Sequence, residues 1–216
     1  MSLALHLQGL RARFDTLALR APTAMPDELA RLAGQAAAAE QLLAWCHRGA
    51  EWQQALQAPP VAPPVVDPRL AVGALHGPAN GDPRALAAWA DAFARQIDGS
   101  HRLEALPGRA AGLAFRLGVK LHDAMGWRPR QPTDPWDAGW VVTTPAALHR
   151  LQTVWTPRRA TLLLADAGAQ ETLRPCLTVL GQRSADFRHP VRWLWVGGGI
   201  DRPAQNGLPV QRFNLA

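Results

Sequence analysis

The sequence predicts an α/β fold in which a parallel sheet is flanked by helices and preceded by an N-terminal α-helical segment. Two observations lead to this prediction. Apolar runs such as 160–166 and 191–196 do not alternate with polar residues, as expected of strands covered on both faces. Stretches with helical spacing separate these runs, which is the pattern of parallel strands joined by crossover helices. At 216 residues the chain is long enough for one sizeable core.

Two amphipathic helices are predicted at the start of the chain, over residues 2–20 and about 26–57, because apolar residues recur there at helical spacing. The second helix is expected to begin near Asp27 and Glu28, which follow Pro26, since acidic side chains favour the positive end of a helix dipole. These helices make up a predicted N-terminal helical pair.

A proline-rich stretch, "APPVAPPVVDP" at 58–68, is typical of a semi-rigid linker. We therefore predict three parts: a helical pair over 1–57, a linker over 58–76 and an α/β domain over 77–216.

Asp82 and Pro83 predict the start of the next helix, since aspartate caps helix N-termini and proline lacks only an N–H that would be unpaired there. Gly99 is expected to end this helix. Further strands are predicted over 101–106, 139–144, 160–166, 191–196 and, at an edge, 208–215. The remaining helices are predicted from the turn at 107–112 to about 125, over 145–155 and over 169–185, with a break or restart at Pro175.

Several stretches within residues 77–200 follow an order of elements that is known from one family. "NGDPRALAAWADAF" is followed by "LPGRAAGLAFRLGVKLHDAMGW", "ATLLLADAGAQETLRPCLTVL" and "HPVRWLWVGGG". This order resembles the core of P-loop NTPases, and most closely the signal-transduction ATPases with numerous domains (STAND) and their AAA+ relatives. The resemblance covers about half of the chain and rests on pattern more than on residue identity.

The resemblance implies that a phosphate loop begins at Gly108, but the residues there are unsuited to nucleotide. In the motif GxxxxGK[ST], lysine neutralises phosphate charge and the hydroxyl binds Mg²⁺. Counted from Gly108, the glycine, lysine and hydroxyl positions hold Leu113, Ala114 and Phe115. If Gly112 is instead taken as the second glycine, the lysine and hydroxyl positions hold Leu113 and Ala114, which supply neither the charge nor the hydroxyl. Lys120 lies nearly two turns into the helix and cannot serve as the lysine of the loop.

The resemblance also implies that Asp166, which ends an apolar run, is the Mg²⁺-coordinating aspartate of a Walker B strand. Ala167 then stands where many relatives carry a second acid, and glycines at 197–199 replace a polar sensor. The alternative interpretation is that Asp166 caps the following helix. We expect no catalytic residue, metal or cofactor beyond a vestigial nucleotide site of Gly108, Gly112 and Asp166.

Charge and aromatic content suggest a second function. The net charge is +6, and residues 108–216 alone carry +7. Arginine with tryptophan can stack on single-stranded bases or anchor a protein interface. The residues predicted for such a surface are Trp127, Arg128, Arg130, Trp136, Arg158 and Arg159. A GC-rich coding sequence explains the arginine content equally well, because the chain has a single lysine. Trp193 and Trp195 are predicted to pack in the core.

Other patterns exclude several classes of protein. Cys46 and Cys176 lie in no metal-ligand spacing and predict free thiols in a reducing compartment. The sequence predicts neither a signal peptide nor a membrane span, so a cytoplasmic protein is expected. A small anionic ligand would bind where the carboxyl ends of the parallel strands form a rim. The residues expected on this rim are Thr143, Thr144, Asp166 and the glycines at 197–199.

The function predicted from these observations is that of a non-catalytic pseudo-NTPase. It would act through protein–protein contacts as an adaptor or regulatory subunit of a larger bacterial complex, with an active NTPase among the candidate partners. A nucleic-acid-binding accessory factor and a small-ligand-binding α/β domain are the alternatives.

Overall fold

One sheet of six strands, covered by helices, organises the part of the chain that the structure describes. The computed structural model describes residues 19–24, 27–55, 69–78, 81–124, 134–197 and 209–215. The strands are β1 (Leu19–Arg20), β2 (Leu70–His76), β3 (Asp137–Val141), β4 (Thr161–Asp166), β5 (Val191–Val196) and β6 (Val210–Asn214). The helices are α1 (Glu28–Gly34), α2 (Ala36–Ala55), α3 (Pro83–Ile97), α4 (Ser100–Glu104), α5 (Gly108–Ala124), α6 (Pro145–Thr153) and α7 (Gln170–Arg183).

The strand order is β1-β3-β4-β5-β2-β6, and every pair is parallel except β1 with β3. The predicted α/β class is therefore confirmed, with a mixed, mostly parallel sheet. The predicted strands at 160–166 and 191–196 correspond to β4 and β5, and β6 forms an edge as predicted. Thr161 and Leu70 both pair with Val191, so the amino ends of the three central strands lie level with one another.

Helices cover both faces of the sheet because the central strands are apolar on both faces. The first face packs against α1, α2 and α3, and the second face packs against α6 and α7. Trp193 and Trp195 are buried on the second face, where their rings meet edge to face at 5.4 Å. Their predicted core position is confirmed, since alternate residues of a strand share one face.

The N-terminal part differs from the prediction. Leu19 and Arg20 form β1 on the edge of β3, so the helix predicted over 2–20 is wrong at its end, and the rest of it lies outside the described residues. The helix predicted over 26–57 is two helices, which meet at Gln35. Both pack on the same face as α3, so the predicted helical pair shares one core with the sheet.

Residues 70–76 were predicted as the end of the linker, and that assignment is wrong. They form β2, which lies between β5 and β6. The physical reason is burial: from Val72 to Leu75 the strand has no exposed residue, because neighbouring strands and both helical layers enclose it.

The strand predicted over 101–106 is also wrong, because this segment forms α4. The Asp98 carboxylate accepts a hydrogen bond from the Ser100 backbone N–H at 2.7 Å, and Gly99 has a φ of 79°. This tight turn starts a new helix immediately after α3. Pro175 does not break α7, which continues through it. None of the helices in the described ranges combines the length and apolar character that crossing a membrane requires.

Candidate functional site

The carboxyl edge of the sheet is the first candidate site, because open α/β sheets bind ligands beyond the ends of their parallel strands. The strands β2, β3, β4 and β5 all end at this edge. β2 is followed by α3 on the first face, whereas β3 and β4 are followed by α6 and α7 on the second face. Connections that leave toward opposite faces open the crevice in which such folds hold ligands.

Asp166 ends β4 at this edge and is exposed. Its carboxylate accepts a hydrogen bond from the Gly168 backbone N–H at 2.8 Å, and this bond caps a short 3₁₀ turn, Ala167–Ala169. The capping interpretation of Asp166 is confirmed. Capping uses one of the carboxylate oxygens that would otherwise be directed at a ligand.

The turn after β2 is where a fold of this kind would hold a phosphate, since it leads into a helix N-terminus at the crevice. Gly81 closes the turn with a backbone hydrogen bond of 2.8 Å to the carbonyl of Pro78. The Asp82 carboxylate accepts from the Arg84 backbone N–H at 2.9 Å, as predicted for an N-cap, and Pro83 contributes no N–H. The carboxylate therefore occupies the anion position of α3 itself.

The structure does not bring Gly108 and Gly112 together with Asp166. Both glycines lie in α5, which begins at Gly108 without a wide loop and follows a helix rather than a strand. A Cβ built on Gly99 would lie 3.4 Å from Phe115 of this helix and 3.3 Å from Pro135, which precedes β3 at its amino end. Asp166 lies at the opposite edge of the sheet, at the end of β4, whose six residues span about 17 Å at the usual rise of a strand. The predicted nucleotide loop is therefore not part of the carboxyl edge.

The predicted arginine and tryptophan surface is only partly present. Trp136 is 4% exposed and packs in the core of the first face, so its prediction as a surface residue is wrong. Arg158 is exposed, whereas the Arg159 Nε lies 3.4 Å from an Asp137 carboxylate oxygen. The predicted residues Trp127, Arg128 and Arg130 lie outside the described ranges.

A second candidate site, which the sequence did not suggest, is a polar face of α3 formed by Asp91, Arg95 and Asp98. The Asp91 carboxylate accepts a hydrogen bond from the Trp140 indole N–H at 2.6 Å. Asp91 and Arg95 of α3 and Asp98, which directly follows it, recur at i, i+4 and i+7, and that helical spacing was the available signal.

Arg95 is the centre of a buried ionic network on this polar face. Its Nε lies 2.9 Å from Glu28 Oε1 and 3.1 Å from Oε2, and its Nη2 lies 2.6 Å from Glu104 Oε1. The His101 Nε2 lies 2.8 Å from Glu28 Oε2, although without the alignment of a hydrogen bond. The network joins α1 to α3 and α4, and so links the first N-terminal helix to two helices that follow β2 in the chain.

Burial raises the pKa of both carboxyl groups on the polar face. It raises the pKa of Asp98 to about 6, although the hydrogen bonds from Ser100 and the charge of Arg95 act in the opposite direction. Burial also raises the pKa of Asp91, against the hydrogen bond from Trp140. Raised carboxyl pKa values are common at functional sites. Here, however, both carboxylates bond to other elements of the protein: Asp91 accepts from Trp140 of β3, and Asp98 accepts from Ser100 at the start of α4.

The two cysteines are free, as predicted, and both are buried. Burial raises the pKa of the Cys46 thiol to about 12 and also raises the pKa of Cys176, whose Sγ accepts a hydrogen bond from Gln152 at 3.2 Å. Thiols with raised pKa values are poor nucleophiles, because the thiolate is the reactive form.

Within the ranges that the structure describes, no group of three or more His, Cys, Asp or Glu side chains is arranged to hold a metal ion. Comparison of the chain with family models, with curated proteins and with solved structures finds no match.

Proposed function

We propose that this chain is a non-catalytic α/β domain, a degenerate relative of the P-loop NTPases, that acts as an adaptor or regulatory subunit through protein–protein contacts. One observation carries the proposal. At the carboxyl edge, where such a fold would perform its chemistry, Asp82 and Asp166 each accept a hydrogen bond from the chain's own backbone.

This arrangement opposes nucleotide chemistry for an electrostatic reason. A phosphate binds at a helix N-terminus through free backbone N–H groups and a positive dipole end. At α3 the Asp82 carboxylate already accepts the N–H of Arg84, and Pro83 has none to offer. A phosphate there would also meet the negative charge of Asp82, at a cost of about 1–4 kcal/mol for charges about 4 Å apart.

The proposal is tested with Asp166→Ala in the full chain. We expect the variant to lose about 1 kcal/mol of stability in urea denaturation, which is the usual contribution of such a cap. Titration calorimetry with Mg²⁺–ATP and a phosphate-release assay are expected to give no signal for either protein. Asp186→Ala is the matched control, because Asp186 is an exposed carboxylate that precedes β5 at the other edge of the sheet. Mg²⁺-dependent hydrolysis that disappears in Asp166→Ala but persists in Asp186→Ala would contradict the proposal.

The nucleic-acid alternative is supported by the +7 charge of residues 108–216 and by the exposed Arg158. Its aromatic component is weaker, because Trp136, Trp140 and Trp155 are buried and so present no stacking platform. Fluorescence anisotropy with labelled single- and double-stranded oligonucleotides at two salt concentrations distinguishes the functions. Salt-sensitive binding that Arg158→Ala weakens would favour the alternative.

A further inference from the structure

We propose that one face of α5 is a docking site for an amphipathic helix of a partner protein, with acidic residues flanking the apolar side of that helix. This inference rests on the proposed adaptor function and names the chemistry of its partner. The face, called here the α5 stripe, consists of Ala110, Leu113, Ala114, Leu117 and Gly118.

The α5 stripe is apolar throughout and exposed throughout. Its members follow the spacing i, i+3, i+4, i+7 and i+8, which places them on one side of a helix. All five are exposed, and the two leucines are among the largest exposed apolar side chains, at 52% for Leu113 and 56% for Leu117. A solvated helix normally turns its polar residues outward, so this face has the character of a buried surface.

The opposite side of α5 is the side that packs against the protein. The Arg102 guanidinium lies over the Phe115 ring, 5.5 Å from its centre. A Cβ built on Gly112 would lie 3.7 Å from Leu103 of α4. Phe115 and Gly112 are accordingly less exposed than the stripe. Because α5 already packs through this side, the stripe remains available to a second molecule.

The shape of the stripe fits a helix. Ala110, Ala114 and Gly118 form a row of small residues at i, i+4 and i+8, bordered by the row of Leu113 and Leu117. Small residues allow two helix axes to approach closely, and a neighbouring ridge of large residues fits the groove of the partner. A Cβ built on Gly118 meets no atom within 4 Å, so space beside the row is open.

The net charge of α5 favours an acidic partner. By sequence, this helix contains Arg109, Arg116, Lys120 and Asp123, which together give a net charge of +2. A second copy of this chain would bring two basic helices together, and like charges are repulsive at such an interface. The chain's own residues 1–18 carry a net charge of +1 and are disfavoured for the same reason. Glutamate or aspartate on the partner would complement this net positive charge.

The test uses the full chain and two synthetic helical peptides of about 20 residues, long enough to form helix. The peptides share one apolar stripe and differ in carrying either glutamate or lysine at the flanking positions. Fluorescence anisotropy is measured at about 50 mM and about 300 mM salt. We expect the glutamate peptide to bind at least about tenfold more tightly than the lysine peptide, with the difference shrinking at the higher salt.

Two variants connect this binding to the stripe. Leu113→Gln and Leu117→Gln are each expected to weaken the glutamate peptide about tenfold, because each removes apolar contact area. Both side chains are exposed, so folding is expected to be unaffected, and circular dichroism checks this. Leu29→Gln is the matched control, since Leu29 is 68% exposed on α1, and it is expected to leave binding unchanged.

Four results would overturn the inference. These are absence of peptide binding, equal binding of the two peptides, binding that neither stripe variant weakens, and tighter binding of a peptide with the sequence of residues 1–18. Sedimentation velocity adds one more: a dimer that Leu117→Gln dissociates would assign the stripe to a second copy of the chain. None of these results would change the outcome of the nucleotide assays. Failure of this inference can therefore be distinguished from failure of the proposed function.

Discussion

Replacement of Asp98 by asparagine is expected to stabilise the protein above neutral pH. Asp98 follows the last turn of α3, where the negative end of the helix dipole disfavours a carboxylate. Burial raises its pKa from 3.8 to about 6. The folded state therefore binds the proton more tightly than the unfolded state, and stability is lost as pH rises through the interval between these two pKa values.

The magnitude follows from the size of that pKa shift. Each pKa unit corresponds to about 1.4 kcal/mol, so an ionised Asp98 costs the folded state about 3 kcal/mol above pH 7. Asparagine carries no charge, and its side-chain oxygen still accepts from the Ser100 backbone N–H, as Asp98 does at 2.7 Å. Asp98→Asn is therefore expected to be more stable than the wild type by up to about 3 kcal/mol at about pH 8, and equal to it at about pH 4.

Urea denaturation of the two proteins across that pH range measures the difference. Asp186→Asn is the control, because Asp186 is exposed, and its stability is expected to follow that of the wild type. The reasoning is refuted if Asp98→Asn is less stable than the wild type at about pH 8, or if the difference between them does not change with pH.

Two further substitutions probe the attachment of the N-terminal segment. Gly139→Ala is expected to displace β1, because its Cβ would lie 2.7 Å from the Arg20 carbonyl oxygen, at a cost of about 1–3 kcal/mol. Hydrogen exchange of the β1 amides would rise accordingly. Glu28→Gln is expected to cost about 3 kcal/mol in urea denaturation, because it removes the buried counter-charge that lies 2.9 Å from Arg95.

Matched controls accompany both substitutions. A Cβ built on Gly34 meets nothing within 4 Å, so Gly34→Ala is expected to be neutral or stabilising by up to about 1 kcal/mol. Glu171 is 86% exposed beside Arg174, so Glu171→Gln is expected to change stability by less than about 0.5 kcal/mol. Unchanged protection of β1 in Gly139→Ala would contradict the first expectation, and equal costs for Glu28→Gln and Glu171→Gln would contradict the second.

Strong local signals were sufficient for part of the fold. The apolar runs of β4 and β5 predicted buried strands, and the Asp82–Pro83 pair predicted the first turn of α3. β2 was missed because its seven residues follow a proline-rich stretch and include glycine and alanine, which have weak strand propensity. Its strand conformation depends on pairing with β5 and β6, which are distant in the sequence.

The candidate site could be predicted only where a residue acts locally. Asp166 caps the turn that directly follows it, so its sequence neighbours determine its role. The polar face of α3 depends instead on Glu28 and Trp140, whose partners Arg95 and Asp91 are 67 and 49 residues away along the chain. Spacing along α3 indicates that its charges share a side, but not which charges from other elements meet them.

By itself, the sequence determined the α/β class, the core positions of Trp193 and Trp195 and the cap at Asp82, because each depends on periodicity or on near neighbours. It left the cap at Asp166 as one of two interpretations, and the structure decided between them. Only the tertiary structure decided the strand order, the insertion of β2 between β5 and β6, and the separation of Gly108 and Gly112 from Asp166. That separation has a simple physical cause. Since α3 runs back across the sheet, α4 and α5 begin at the amino edge, while Asp166 stands at the carboxyl edge.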